Sequence, residues 1–345
     1  MMDDPQISKS MREELTKQQY RFVGEHSAVK VCGWTKNSIL GKGECYKFAF
    51  YGIRSHQCLQ STSSMYCASR CIFCWRGSKA PVSTNWYGPI DEPSFLVDGM
   101  IEAHKELVIG FKGNKKSIPK KVEEMLDVRH VALSLTGEPI VYPKINELLD
   151  EFHKKKISTF LVTNAQYPEE IKSIKNVTQL YLSIDAPNKK IFKEIDRPLF
   201  PDYYDRVLKS LDVLSTKKYR TCIRLTIIKD KNDSNYEEYS ELINRGNPDF
   251  VEIKAYMNVG GSRENLEYCD MPIMTEIESF SNNLINFLSN YEIVSKHAPS
   301  RVILLKKKGV KQFINFRAFF ETLNCGEDLL TEKYSSDLMQ DNCLK

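Results

Sequence analysis

Three cysteines stand at positions 67, 71 and 74, in the run Met-Tyr-Cys-Ala-Ser-Arg-Cys-Ile-Phe-Cys-Trp over residues 65–75. Thiols spaced Cys-x3-Cys-x2-Cys, with an aromatic residue (Phe73) just before the last, can hold three irons of a cubane iron–sulfur cluster and leave the fourth without a protein ligand. Such an iron can coordinate a cofactor or substrate directly, as open positions do in catalytic metal sites generally. Structural zinc is the competing reading, but it asks for four ligands, usually as two close pairs. The nearest histidine is His56, and no second Cys-x2-Cys pair follows Cys74. Iron–sulfur chemistry is the stronger reading.

A second triad lies upstream. Cys32, Cys45 and Cys58 are separated by equal steps of 13 residues. Three more thiols beside the first triad suggest a second cluster, again with one iron left open, although packing thiols could share this wide spacing. Lys47 follows Cys45 by two residues, and on an extended segment both would project to one side. An amine near a desolvated or cationic site can attack a carbonyl and form a Schiff base, whereas most lysines are simply solvated.

The elements that must position these groups follow an α/β rhythm after Gln60. Strands are expected at 130–135, 157–163, 179–184, 221–229 and 250–256, with an earlier one leading into Cys67 and a further one at 301–305. Helices are expected at 95–111, 144–155, 189–195, 203–214, 236–244 and 276–288. Six strands with helical crossovers suit a parallel sheet curled into a partial or complete (β/α) barrel, where function gathers at the C-terminal strand ends. Residues 1–60 read as an N-terminal arm, with possible helix over Lys9–Tyr20, followed by a cysteine-rich segment of loops and short strands. Residues 61–300 read as the barrel, and 301–345 as a C-terminal extension with an aromatic patch at Phe313, Phe316, Phe319 and Phe320.

The strand ends carry candidate ligand-binding groups. Gly137 lets the backbone come close to a ligand, and Glu138 can accept from an ammonium. Asn164, Ser183 and Asp185 could hold ribose hydroxyls or a carboxylate, the last two sharing one face if both lie on a strand; strand-end capping would explain them equally well.

Composition bounds the rest. Of 345 residues, 41% are apolar and 27% charged, which suits a soluble protein with an ordinary core. No apolar run is long enough to span a bilayer, the first residues lack a signal-peptide core, and Cys343 is too near the end for a prenylation box. A cytoplasmic protein that acts as a monomer is expected, and its ten cysteines then point to metal or redox chemistry rather than disulfides. Cys222, Cys269, Cys325 and Cys343 are dispersed and read as incidental. Lysine runs at 115–121, 154–156 and 306–308, with Arg317, are solvated faces or a track for a nucleic-acid backbone.

Cys67, Cys71 and Cys74 resemble the cluster loop of the radical S-adenosylmethionine (SAM) superfamily, and Gly137-Glu138 resembles its Gly-Gly-Glu element, with Thr136 replacing the first glycine. The segments 28–36, 41–47, 51–58 and 71–76, followed by 135–139, 161–164 and 183–187, together resemble the tRNA 4-demethylwyosine synthase family over about residues 25–320. The chain begins about thirty residues before its first cysteine, so it resembles the stand-alone archaeal form, which draws electrons from a separate flavodoxin- or ferredoxin-like donor.

That resemblance implies two [4Fe-4S] clusters and SAM as cofactors, and a lyase that condenses two carbons of pyruvate with N1-methylguanosine-37 in the anticodon loop of tRNA(Phe). It implies that Cys67, Cys71 and Cys74 hold the cluster that cleaves SAM. It also implies that Cys32, Cys45 and Cys58 hold a second cluster for pyruvate, with Lys47 forming the Schiff base. Gly137, Glu138, Asn164, Ser183 and Asp185 are the candidates for SAM. Trp34, Trp75 and Arg76 are candidates for the tRNA, since loop bases are splayed and stacked on aromatics while cations hold phosphates; Trp86 and Tyr87 are weaker ones. Two other readings remain. A radical SAM enzyme for another substrate would commonly carry its auxiliary cysteines after the barrel, not before it. A non-enzymatic iron–sulfur RNA-binding protein or electron carrier would close each cluster with four ligands.

Overall fold

The computed structural model describes residues 6–339. Cys343 and the end of the expected C-terminal extension lie outside the described residues. The short β-strands β1 (Arg21–Val23) and β2 (Ser27–Val29) pair antiparallel and join the core through β3 (Cys58–Thr62). From β3 the sheet runs parallel through β4 (His130–Leu133), β5 (Ser158–Thr163), β6 (Gln179–Ser183), β7 (Thr221–Ile227) and β8 (Phe250–Ala255). It ends antiparallel, in spatial order β8, then β10 (Val302–Lys307), then β9 (Tyr291–His297). The six parallel strands and β10 fall where apolar, β-branched runs predict them. The sheet as a whole is mixed rather than parallel, because strands at both edges return without crossovers. Its order has two ends among the described residues, so it forms a partial barrel.

Helix α1 (Lys9–Lys17) precedes the sheet, and α2 (Gly33–Ile39) and α3 (Tyr46–Tyr51) lie between β2 and β3. The crossovers carry α4 (Pro93–Val108), α5 (Pro119–Glu124), α6 (Ile145–Lys154), α7 (Pro168–Ser173), α8 (Lys189–Asp196), α9 (Tyr203–Ser215) and α10 (Tyr236–Gly246). Helix α11 (Met274–Ile285) follows β8, and α12 (Phe316–Asn324) follows β10. Proline opens α4, α5 and α7 at the first turn, where its missing N–H has no partner to lose. Asn188 caps α8 by accepting from the Ile191 N–H at 3.1 Å. Each long crossover helix buries one stripe, such as Leu148, Leu149 and Phe152 of α6.

Two features depart from the sequence reading. Residues 26–60 hold the helices α2 and α3 rather than only loops and strands, and Cys32 and Cys45 stand at their N-caps. Lys47 therefore does not follow Cys45 along an extended segment; it sits in the first turn of α3. A six-residue helix is not stable alone, and α3 forms because it is bound to the sheet. The C-terminal aromatics Phe316, Phe319 and Phe320 are buried. The fully buried Arg220 ties this segment to the barrel, donating to Gln179 Oε1, to the carbonyls of Lys311 and Gln312 and to Ser335 Oγ. No described helix is long and apolar enough to cross a membrane.

Candidate active site

The loop after β3 carries Cys67, Cys71 and Cys74 and is pinned from several sides. The N–H groups of Arg70 and Ile72 donate to the carbonyls of Asp196 and Ile195 at the end of α8, at 3.1 and 2.8 Å. The Gly261 N–H donates to the Trp75 carbonyl at 2.8 Å, and a Cβ on Gly261 would fall 2.2 Å from the Gly77 Cα, so the two backbones meet only through glycines.

All three sulfurs have polar neighbours. Asn164 Nδ2 donates to Cys67 Sγ and Arg76 Nε to Cys74 Sγ, both at 3.3 Å, while Cys71 Sγ donates to Asp196 Oδ1 at 3.2 Å. Burial pushes the Cys67 thiol up to about 11, and raises Cys71 and Asp196 as well. A metal reverses that preference, because its charge favours the thiolate. Each thiolate of a cubane bonds a different iron, so the sulfurs need not converge. Among the described residues, no group of three or more histidine, cysteine and carboxylate side chains converges on a single ion. Three soft thiols, two of them with N–H donors aimed at the sulfur, fit the donor set an iron–sulfur cluster uses.

The groups expected to hold SAM lie beside this loop. Gly137 has a φ of 64°, and a Cβ there would meet the Ser64 carbonyl oxygen at 2.0 Å. The next residue, Glu138, is buried; its Oε2 accepts from the Asn164 N–H at 3.0 Å, and its Oε1 has no partner. Burial pushes its carboxyl up to about 7, against the pull of the Asn164 N–H and the Arg76 guanidinium. A buried carboxylate with an unsatisfied oxygen fits the ammonium of an amino-acid ligand such as the methionine end of SAM. Asn164 thus touches Glu138 through its backbone and Cys67 through its side chain.

Ser183 ends β6 in register with Arg224. Asp185 lies past the strand end, which corrects the expectation that both residues share one strand face. Asp185 Oδ1 accepts from the Thr226 N–H at 2.8 Å, a bond within the scaffold.

The second triad lies near Lys47, which α3 carries into the barrel. Tyr46 and Tyr51 of α3 donate to the two carboxylate oxygens of Glu252 on β8, at 3.0 and 2.9 Å. This docking carries Lys47 inward, its ammonium 4.5 Å from the Tyr181 ring centre and 5.7 Å from that of Phe160. Burial pushes the Cys45 and Cys58 thiols up to about 12; Cys32 adds to both shifts and Lys47 opposes both. The thiols of Cys32, Cys45 and Cys58 and the Lys47 amine are therefore electrostatic neighbours, three ligands of the kind a second cluster would need.

Four residues that sequence reasoning passed over complete the interior. Asp196 meets Cys71, and Arg224, Glu252 and Lys254 share the inward strand face, Arg224 in register with Glu252 and Thr226 with Lys254. For the three strand residues the signal was a charge inserted in an otherwise apolar strand, repeated at a spacing of two on β8; Asp196, at the end of α8, carried no such signal.

The aromatic candidates are spread out. Trp34 meets His297 edge-on at 5.3 Å. Trp75 stacks on Tyr20 at 6.1 Å, with the Lys30 ammonium 4.5 Å from the Tyr20 ring and 5.7 Å from that of Trp75. Arg76 turns inward to Cys74 and to the Met65 carbonyl at 3.2 Å. A cavity of about 470 Å³ opens there, lined by Tyr20, Trp75, Arg76, Thr136 and Arg263 among others. Trp86 packs against His26 and Tyr142, and Tyr87 stacks on Tyr66. Lys154, Lys155, Lys306 and Arg317 sit in ion pairs with Glu151, Asp98, Glu292 and Glu321.

Known proteins resemble this chain in sequence and in fold. Residues 62–243 match the radical SAM superfamily, and residues 245–307 match the family described as wyosine base formation. The S-adenosyl-L-methionine-dependent tRNA 4-demethylwyosine synthase of Arabidopsis thaliana is 43% identical over 337 residues, 95% of this chain and 52% of the plant protein. The Mus musculus synthase, TYW1, is 44% identical over 322 residues, 91% of this chain and 45% of the mouse protein. The chain thus spans about half the length of these curated relatives. A solved structure of TYW1 with a lysine–pyruvate adduct bound has a TM-score of 0.80 at 36% identity, covering 90% of this chain and 99% of that one. A crystal structure of archaeal TYW1 has a TM-score of 0.71 at 33% identity, covering 88% and 97%. The chain belongs to the radical SAM superfamily and, within it, to the tRNA 4-demethylwyosine synthase family.

Proposed function

We propose that this chain carries out the 4-demethylwyosine-forming reaction, joining two carbons of pyruvate to N1-methylguanosine-37 of tRNA(Phe), as a carbon–carbon lyase. The observation that carries this reading is the position of Lys47, an amine against Tyr181 and Phe160 inside the barrel that also bears the superfamily's cysteine loop. A related protein was solved with a lysine–pyruvate adduct, and its 36% identity over 90% of this chain supports the same chemistry here.

Superfamily membership implies SAM and a [4Fe-4S] cluster. Cys67, Cys71 and Cys74 would hold that cluster, which when bound supplies the electron that splits SAM into methionine and an adenosyl radical. Glu138 would receive the SAM ammonium, with Gly137, Asn164, Ser183 and Asp185 around it. Cys32, Cys45 and Cys58 would hold a second [4Fe-4S] cluster. Lys47 attacks the pyruvate carbonyl as the neutral amine; its nitrogen bonds the carbon and the oxygen leaves as water. The rings of Tyr181 and Phe160 exclude water from the resulting imine, and Glu252 fixes α3 so that the amine stays in place.

Around this centre we assign residues 1–60 to the second cluster, 61–300 to the catalytic barrel and 301–345 to an extension whose first strand, β10, joins the barrel sheet beside β8. Trp34, Trp75 and Arg76 are assigned to the anticodon loop. The protein works in the cytoplasm as a monomer, fed by a flavodoxin- or ferredoxin-like electron donor. The test is an anaerobic reaction of the iron-loaded protein with SAM, a reductant, pyruvate and N1-methylguanosine-bearing tRNA, read by nucleoside mass spectrometry. The tricyclic nucleoside is expected only when pyruvate is present. Unchanged tRNA alongside cleaved SAM would assign the chain to another substrate.

A further inference from the structure

Three cationic side chains belong to the barrel interior: Lys47 of α3, Arg224 of β7 and Lys254 of β8. They differ in how they are satisfied. The Arg224 guanidinium is held by the Tyr46 hydroxyl, with the charges of Glu252 and Asp185 near it. The Lys254 ammonium has no such partner. Its one hydrogen bond goes to the Ala255 carbonyl at a long 3.4 Å, and no carboxylate lies within ion-pair distance of it among the described residues. Glu252, the nearest acid along β8, spends both its oxygens on Tyr46 and Tyr51.

An ammonium held away from water without a paired anion is costly, and desolvation with the nearby Arg224 charge pushes Lys254 down to about 8, against the pull of Cys45 and Glu252. A bound carboxylate would remove that cost. Lys254 also shares a neighbour with Lys47, because Cys45, at the N-cap of α3, lies near both side chains. A small keto acid presents two groups to such a pair, a ketone for one amine and a carboxylate for the other.

We propose that Lys254 is the carboxylate-binding residue of the keto-acid site, its ammonium pairing with the carboxylate of the substrate whose carbonyl Lys47 captures. The assignment rests on the reading of Lys47 given above. It explains why a charged residue stands on β8 one step beyond Glu252 on the same face, ion-paired with no carboxylate among the described residues. It also makes the site selective: a ketone without a carboxylate would leave the Lys254 charge unpaired.

The test is reductive trapping. Iron-loaded protein is incubated anaerobically with radiolabelled pyruvate over a range of concentrations and quenched with borohydride, and the label is located by peptide mapping. In Lys254→Met the half-saturating pyruvate concentration for labelling Lys47 should rise about ten- to a hundredfold, the weight of one charge-assisted contact. Lys254→Arg should recover most of the loss, and Lys254→Gln, polar but uncharged, should behave like the methionine variant. Methyl pyruvate keeps the ketone and lacks the carboxylate, so it should label wild type and Lys254→Met at the same half-saturation. Unchanged half-saturation for pyruvate in both uncharged variants would overturn the assignment, as would label found on Lys254 itself. If wild-type Lys47 took up no label at all, the reading of Lys47 would fail first, which distinguishes the two.

Discussion

Glu138 and Asn164 come from the ends of adjacent strands, and the Asn164 N–H reaches Glu138 Oε2 at 3.0 Å while the other carboxylate oxygen stays buried and unpaired. The same asparagine donates to Cys67 Sγ at 3.3 Å. One residue therefore links the group proposed for the SAM ammonium to a proposed cluster ligand.

The Glu138 carboxyl titrates at about 7, because burial favours its neutral form. An ammonium binds the ionised form. SAM affinity should therefore rise as pH increases through about 7 and level off above it. Glu138→Gln should bind SAM about tenfold or more weakly, with no such rise. Equilibrium binding to the iron-loaded protein between pH 6 and 8 checks this, and a flat wild-type profile would remove Glu138 from that role.

Asn164→Ala should shift the reduction potential of the cluster on Cys67, Cys71 and Cys74. A hydrogen bond to sulfur favours the more negative, reduced cluster, so its loss lowers the potential. A bond of about 1 kcal/mol corresponds to a shift on the order of tens of millivolts for one electron. A redox titration followed by electron paramagnetic resonance measures it; an unchanged or higher potential would mean that the contact does not tune the cluster.

Each cysteine triad should hold its own cluster. Anaerobic reconstitution should give about eight irons per chain, and Cys58→Ala about four. Cys71→Ala should abolish 5′-deoxyadenosine formation, whereas Cys58→Ala should still cleave SAM. A wild-type count near four irons would eliminate the second cluster, and normal SAM cleavage by Cys71→Ala would eliminate that ligand.

Tyr51→Phe removes the donor to Glu252 Oε1 and leaves a buried carboxylate oxygen unpaired. It should lower stability by about 1–3 kcal/mol in denaturant titration. Because the same contact docks α3, it should also slow the labelling of Lys47 by pyruvate and borohydride. Full stability with unchanged labelling would mean that α3 is held elsewhere.

Much of this was legible in the residues. The strand runs on either side of Thr163-Asn164 and Ser183 are dense in apolar and β-branched side chains, and the crossover helices show clean apolar stripes, so the alternation could be read directly. Helix α3 could not, because four of its six residues are aromatic and it is too short to show a period; docking on Glu252, some two hundred positions away, holds it as a helix. Helices α5 and α7 each begin at a proline, a usable start signal, but are too short to show a period. Strand β9 pairs on one side only and is largely exposed, so its polar sequence did not stand out. Arg224, Glu252 and Lys254 look like interruptions of core strands until the register puts them on one face of a barrel.

The most direct measurement of the central claim, that Lys47 and the cysteine loop serve one reaction in one barrel, uses pyruvate isotopically labelled at its ketone and methyl carbons. The iron-loaded protein is given this substrate with SAM, a reductant and N1-methylguanosine-bearing tRNA, and the digested nucleosides are weighed. The account expects a tricyclic nucleoside carrying both labelled carbons from wild type and none from Lys47→Ala. A product without the label, or the same labelled product from Lys47→Ala, would contradict it.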